Sequence, residues 1–302
     1  MMTAQQPTLR GTLKLNESMA RHTSWRVGGA AERYYEPADL DDLAQFLAQT
    51  SVDEPLLWIG LGSNLLVRDG GIRGTVIVTT GLLNEMLLLE SGVIRIEAGV
   101  SCAKAARFAA RQGLVGAEFL AGIPGTIGGA LAMNAGAFGD ETWPHVAAVE
   151  TIDRHGRRHL RQPDEYEVSY RHVRGPADEW FVAAHLKLQA GDAMVATVRI
   201  KELLDKRNAS QPIGQPSCGS VFRNPPGDYA GRLIEASGLK GRCIGGACVS
   251  EKHANFIINN DNATAAEIEA MITKVMATVE QQHGIRLMPE VHIVGEKINH
   301  GR

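Results

Sequence analysis

Apolar side chains recur along this chain at two spacings, and each spacing predicts its own kind of element. Leu40, Leu43, Phe46 and Leu47 follow i, i+3, i+4 intervals and predict a helix over 39–49. The same period carries Ile268, Met271, Ile272, Val275, Met276 and Val279 along one face of a second helix, where the methionines read as core packing. That helix opens on the capping box Thr264-x-x-Glu267 and stops at Gly284. Further helices are expected over 102–112, stopped by Gly113, over 194–208, and over 229–238, stopped by Gly238. Short apolar or alternating runs predict strands at 32–36, 56–59, 75–79, 93–97, 181–188, 256–259 and 291–294, with a hairpin around His155-Gly156. Residues 216–225 read as a proline-bounded loop and strand, and residues 1–20 as an arm. Strands alternating irregularly with helices point to an α+β fold.

Between these elements lie two glycine-rich segments. Residues 116–139 hold seven glycines in 24 positions: Gly116, Gly122, Gly125, Gly128, Gly129, Gly136 and Gly139. The intervening residues are small or apolar, unlike a flexible linker. Such density brings backbone N–H groups close to a ligand, most often a phosphate or diphosphate, although a run of tight turns has the same signature. A second cluster, Gly60-Leu61-Gly62-Ser63-Asn64-Leu65-Leu66, shifts the balance toward a large diphosphate cofactor. Two familiar fingerprints are missing. Position 65 is leucine where G-x-G-x-x-G needs glycine, and no G-x-x-x-x-G-K-[ST] occurs.

Composition narrows the class further. The 302 residues are 44% hydrophobic and 22% charged, as in an ordinary soluble protein of two or three domains. A net charge of −3 advertises neither nucleic acid nor an anionic membrane as partner. No uncharged run suggests membrane insertion, the first residues do not read as a secretory signal, and no obligate protein partner is evident. Four cysteines without C-x-x-C fit a reducing cytoplasm. Cys243, Cys248 and His253 lie close in sequence, but the spacing lacks a second ligand pair, and no metal is expected.

An ordered set of motifs spans most of the chain. It comprises His22-Thr23-Ser24-Trp25-Arg26-Val27-Gly28-Gly29, the 60–66 loop, the 122–129 loop followed by Met133-Asn134-Ala135-Gly136, and Ser169-Tyr170-Arg171. It continues with Cys218-Gly219-Ser220-Val221-Phe222-Arg223-Asn224-Pro225, Val249-Ser250-Glu251-Lys252-His253-Ala254-Asn255-Phe256 and Pro289-Glu290-Val291. This set resembles the UDP-N-acetylenolpyruvoylglucosamine reductase family in its shorter, type II form. The resemblance implies a two-subdomain FAD-binding module of the vanillyl-alcohol-oxidase and PCMH type plus a C-terminal α+β substrate-binding domain. The corresponding divisions are 1–80, 81–205 and 206–302. Leu61, where glycine is frequent, and Arg223, where lysine is frequent, depart from the commonest pattern; Arg223 keeps the positive charge.

By this resemblance FAD is held non-covalently by Gly60, Gly62, Ser63, Asn64 and Leu65, and by Gly122, Ile123, Pro124, Gly125, Thr126, Gly128 and Gly129. NADPH is the implied hydride donor. The implied substrate is a UDP-sugar whose enolpyruvyl group is reduced in peptidoglycan precursor synthesis. Hydride arriving at C3 pushes charge onto C2 and the carboxylate, so the site needs a cation, an acid and a proton source. The resemblance assigns Arg171, Glu290 and Ser220. Glu290 could serve as a protonated acid or as an orienting partner of Arg171, and the Cys218 thiol is a rival proton donor. Tyr170, Arg223 and Asn224 are candidates for substrate contact, with Lys206, Arg207 and Lys252 as further cations. His253 and Asn255 read as structural. The alternatives are another FAD-dependent oxidase or dehydrogenase of this fold, and a non-catalytic nucleotide-binding protein.

Overall fold

The structure, a computed structural model, describes residues 8–298. Six α-helices occur among the described residues: α1 (Leu40–Gln49), α2 (Cys102–Arg111), α3 (Ile127–Met133), α4 (Ala193–Ser210), α5 (Ala230–Ala236) and α6 (Ala265–His283). A four-stranded sheet has the order Thr12–Ser18, Ala30–Glu36, Ile72–Val78, Leu56–Ile59, its last pair parallel. A five-stranded antiparallel sheet has the order Arg158–Arg161, Val146–Asp153, Glu179–Lys187, Val93–Glu97, Met86–Leu88. The result is the expected α+β class.

The predicted helices and hairpin form within a few residues of their expected ends. Two expectations need correction. Residues 12–18 of the supposed arm are a strand; residues 1–7 of the arm lie outside the described residues. The strand leaves Leu13 and Leu15 exposed, so its apolar pattern is not what fixes it; pairing in the sheet is. Residues 216–225 form no strand, only isolated bridges at Ser217 and Phe222.

The chain separates into two compact units. Among the described residues, the first contains 8–14, 33–60 and 74–204; the second gathers 15–32, 61–73 and 205–298. In the first unit, one face of the five-stranded sheet is buried with α2, α3 and α4. Ile94, Ile96, Ala105, Leu131, Val149, Ala184 and Ile200 are among that core. A second core packs Leu43, Phe46 and Leu47 of α1 with Tyr35, Ile77 and Val182. In the second unit the core is built on α6, whose Ile268, Met271, Ile272, Val275 and Val279 are buried with Trp25, Phe222 and Leu233. Both halves of the expected capping box on α6 are made, between Thr264 and Glu267.

The five-stranded sheet also carries a charged cluster. Glu150 takes a bidentate grip from Arg95, at 2.6 and 2.8 Å, and a contact from His185 at 2.7 Å. His185 and then Arg95 hold its carboxyl down to about 2, against burial pushing the other way. A carboxyl held below its ordinary value stabilises the fold fully above the unfolded value, here 4.5, and loses that contribution as pH falls through the folded one. Urea midpoints should therefore fall between pH 5 and pH 2.5. Glu150→Gln should lower stability at pH 7 and flatten that dependence; an unchanged acid limb would show that other carboxylates carry it.

Candidate active site

In the first unit, the 116–139 segment contains α3 and is stitched to the connection between strand Val93–Glu97 and α2. Cys102 N–H donates to Gly125 O at 2.9 Å, Ile127 N–H to Val100 O at 2.9 Å, and Gly128 N–H to Ala98 O at 2.9 Å. Buried Thr126 caps α3, its Oγ1 accepting from Gly129 N–H at 3.3 Å. Gly60 arrives beside this cap. A Cβ at Gly60 would stand 2.4 Å from Thr126 Oγ1, so only glycine lets the two glycine-rich segments meet there. Pro124 and Gly129 remain exposed, as a ligand-facing backbone would.

Two observations, one in each unit, fit the glycine-rich segments to a polar cofactor. Among the described residues, the N–H groups of Leu61, Gly62 and Ser63 meet no backbone carbonyl. The Thr80 hydroxyl is buried without a partner. It follows Thr79, whose N–H donates to Ile59 O just before Gly60. Thr80 was not legible as a candidate, because only its missing partner singles it out.

Arg171 stands in the first unit at the tip of a hairpin of Glu167–Ser169 and His172–Arg174. Its φ is +55°, left-handed for a non-glycine residue. The guanidinium donates to Gly136 O at 3.1 Å and Asn134 O at 3.4 Å and lies over the Tyr170 ring at 5.6 Å. Tyr170 is exposed.

In the second unit the structure joins three separate motifs. Leu65–Val67 runs parallel to His292–Val294. Asn64 Nδ2 donates to Glu290 O at 3.1 Å, and Glu290 N–H donates to Val221 O at 2.7 Å. Glu290 is thereby fixed between the 60–66 loop and the segment bearing Ser220. That segment is held by a side chain that mimics strand pairing on one edge and by a single backbone bridge on the other. Asn255 Oδ1 accepts from Phe222 N–H at 3.0 Å while its Nδ2 donates to Phe222 O at 2.8 Å. Arg223 N–H donates to Met288 O at 2.9 Å. The 60–66 loop is anchored downstream as well. Arg68 grips Glu269 bidentately at 2.9 and 3.0 Å, and Asp69 accepts from the first N–H groups of α6.

Ser220 is half-buried and follows Gly219 at φ +79°. Cys218 is fully buried, and desolvation, then the Glu290 charge, push its thiol well up. An ordinary thiol is a better acid than a serine hydroxyl, but this environment removes much of that advantage. Asn224 is exposed, its Oδ1 accepting from Ala230 N–H at 3.1 Å. Burial, then the Arg223 charge, depress the His292 imidazole. Lys252 Nζ donates to Asn208 O at 2.5 Å, and Arg207 Nε to Gln211 Oε1 at 3.1 Å. His253 is lowered by burial and accepts from Asn255 N–H at 3.3 Å, a structural placement. Cys243 and Cys248 form a disulfide across a short hairpin. Among the described residues, no cluster of three or more His, Cys, Asp and Glu could hold a metal, and no helix is long and apolar enough to cross a membrane.

Residues 211–294 match the family described as "UDP-N-acetylenolpyruvoylglucosamine reductase, C-terminal domain", and residues 31–160 match "FAD binding domain". A UDP-N-acetylenolpyruvoylglucosamine reductase of Alkalilimnicola ehrlichii is 61% identical over 98% of this chain and 99% of its own length. One of Legionella pneumophila is 59% identical over 95% of this chain and 94% of its own. The crystal structure of the UDP-N-acetylenolpyruvylglucosamine reductase of Thermus caldophilus superposes with a TM-score of 0.80 at 32% identity. It covers 95% of this chain and 99% of that one.

Proposed function

The chain belongs to the UDP-N-acetylenolpyruvoylglucosamine reductase family, an oxidoreductase with an FAD-binding domain, and we propose that it reduces the enolpyruvyl group of UDP-N-acetylenolpyruvoylglucosamine to give UDP-N-acetylmuramate. The observation that carries this reading is near-full-length similarity to curated reductases of that name. NADPH is the proposed hydride donor, peptidoglycan precursor synthesis the proposed setting, and the cytoplasm the proposed compartment.

When bound, FAD would carry hydride from NADPH to C3 of the enolpyruvyl double bond. The residues proposed to hold it are Gly60, Gly62, Ser63, Asn64 and Leu65, with Gly122, Ile123, Pro124, Gly125, Thr126, Gly128 and Gly129. Thr80 joins them on the strength of its orphaned hydroxyl. Unspent backbone N–H groups at 61–63 suit a diphosphate, because they donate without a competing charge. Arg171 would grip the substrate carboxylate, since a guanidinium stays charged and binds it bidentately. Ser220 would deliver the proton to C2. Glu290, its backbone fixed by Asn64 and Val221, would serve in its protonated form, donating a hydrogen bond to the charge developing on the carboxylate side, or as an orienting partner of Arg171. Tyr170, Arg223 and Asn224 would contact the sugar nucleotide.

Anaerobic stopped-flow spectroscopy tests the whole reading. NADPH should bleach the yellow protein, and the enolpyruvyl sugar nucleotide should restore the colour. Restoration by other acceptors and not by this one would move the chain to a different flavin-dependent activity. The chromophore should also be non-covalent, because residues 116–139 contain no His or Cys to carry a flavin bond. Acid precipitation should leave it in the supernatant; colour retained by the pellet would refute this.

A further inference from the structure

Arg171 projects from a two-stranded hairpin whose flanking strands are only three residues each. A ligand-gripping guanidinium on so small a support needs an external reference. The structure supplies one at Asn134. This residue ends α3 in the left-handed conformation, φ 43° and ψ 54°, and is buried. As a helix stop, glycine would serve equally, and no side chain would be required. Yet the amide of Asn134 is used on both ends. Its Oδ1 accepts from Trp143 N–H at 3.1 Å. Its Nδ2 donates to Glu141 Oε2 at 2.8 Å and to Ser169 O, at the hairpin tip, at 3.4 Å. Its own carbonyl accepts from Arg171, and Gly136 O, two residues on, accepts from the same guanidinium. One buried side chain thus ties the fixed end of α3 to the hairpin, and the adjoining backbone orients the charge.

We propose that Asn134 is a positioning residue for Arg171, locking the hairpin to the end of α3 so that the guanidinium meets the substrate carboxylate already oriented. This rests on the reading of Arg171 as the carboxylate grip. Asn134 would touch neither substrate nor cofactor and would act through Arg171.

The test uses flavin-loaded enzyme. Asn134→Gly keeps the left-handed backbone and removes the tether. Asn134→Asp keeps an acceptor for Trp143 and removes the donation to Ser169; it stands in if the glycine variant folds poorly. Each should retain flavin and reduction by NADPH near the parent rate. Each should weaken equilibrium binding of the enolpyruvyl sugar nucleotide and slow its reduction, roughly 10- to 100-fold. Adding Asn134→Gly to Arg171→Ala should cost nothing further, because the tether would have nothing left to position. Parent binding and reduction in both Asn134 variants, with Arg171→Ala impaired, would overturn the tether alone. An additive double variant, or loss of flavin in both Asn134 variants, would also overturn it, by making Asn134 a general structural residue. Parent behaviour in Arg171→Ala would overturn the underlying reading and the tether with it.

Discussion

Ser220→Ala should separate the two halves of the catalytic cycle. Bleaching by NADPH needs no proton at the substrate's C2, so it should stay near the parent rate. Recovery of the colour by the enolpyruvyl sugar nucleotide should slow by roughly 10²- to 10⁴-fold, or about 3–5 kcal/mol of barrier, because charge would build at C2 without a positioned acid. The structure sharpens the control. Cys218 is the alternative donor by proximity, but its buried thiol, next to the Glu290 charge, releases its proton reluctantly. Cys218→Ala should therefore be mild, costing packing more than chemistry. Should Cys218→Ala stall recovery while Ser220→Ala does not, the thiol is the donor. If both recover normally, the proton comes from water or Glu290.

Gly62→Ala is expected to abolish flavin retention and to lower stability by about 3 kcal/mol or more. Two independent costs meet there. Its φ of +60° is left-handed, and an added Cβ would stand 2.0 Å from His22 O and 2.9 Å from Thr23 Cα. Those atoms are backbone, so no rotamer change relieves the clash. The loop would have to leave the His22–Ser24 segment, breaking the 3.1 Å bond from Ser24 N–H to Gly62 O. The N–H groups at 61–63 would then lose the arrangement proposed for the diphosphate. Flavin content of the purified protein and its thermal midpoint check the two effects separately. A variant with full flavin and parent stability would show that the loop tolerates another conformation and does not form the cradle.

Much of this was legible in the chain because the deciding interactions are local. Thr264 and Glu267 lie within one helical turn, so α6 announces its start without tertiary help, and Gly284 marks its end at φ +68°. The glycine-rich segments were visible for the same reason: glycine marks places where a side chain is not tolerated. What the missing side chain would have struck was not visible. For Gly62 it is the carbonyl of His22, and for Gly60 the hydroxyl of Thr126, both remote in sequence.

The strand Thr12–Ser18 lacked a buried apolar face to reveal it, and exists through its neighbour in the sheet. Residues 216–225 carried the opposite error. They read as a loop and strand, but the Asn255 side chain takes the place of a neighbouring strand on one edge of Phe222, and backbone pairing stops at the single bridges Ser217–Ile258 and Phe222–Pro289. The motif Met133-Asn134-Ala135-Gly136 could be picked out from the sequence, while the role of Asn134 depended on which hairpin folded back onto it.

The sequence by itself determined the α+β class, most helix limits, the glycine-dependent loops and the family motifs, since these rest on periodicity, caps and residue types read within a few positions. Only the tertiary structure decided that Asn64 and Val221 fix the backbone of Glu290, that Cys218 is buried beside its charge, and that Arg171 hangs from the end of α3. Those facts depend on contacts between residues far apart along the chain, and chain closure and packing select such partners without leaving a local pattern.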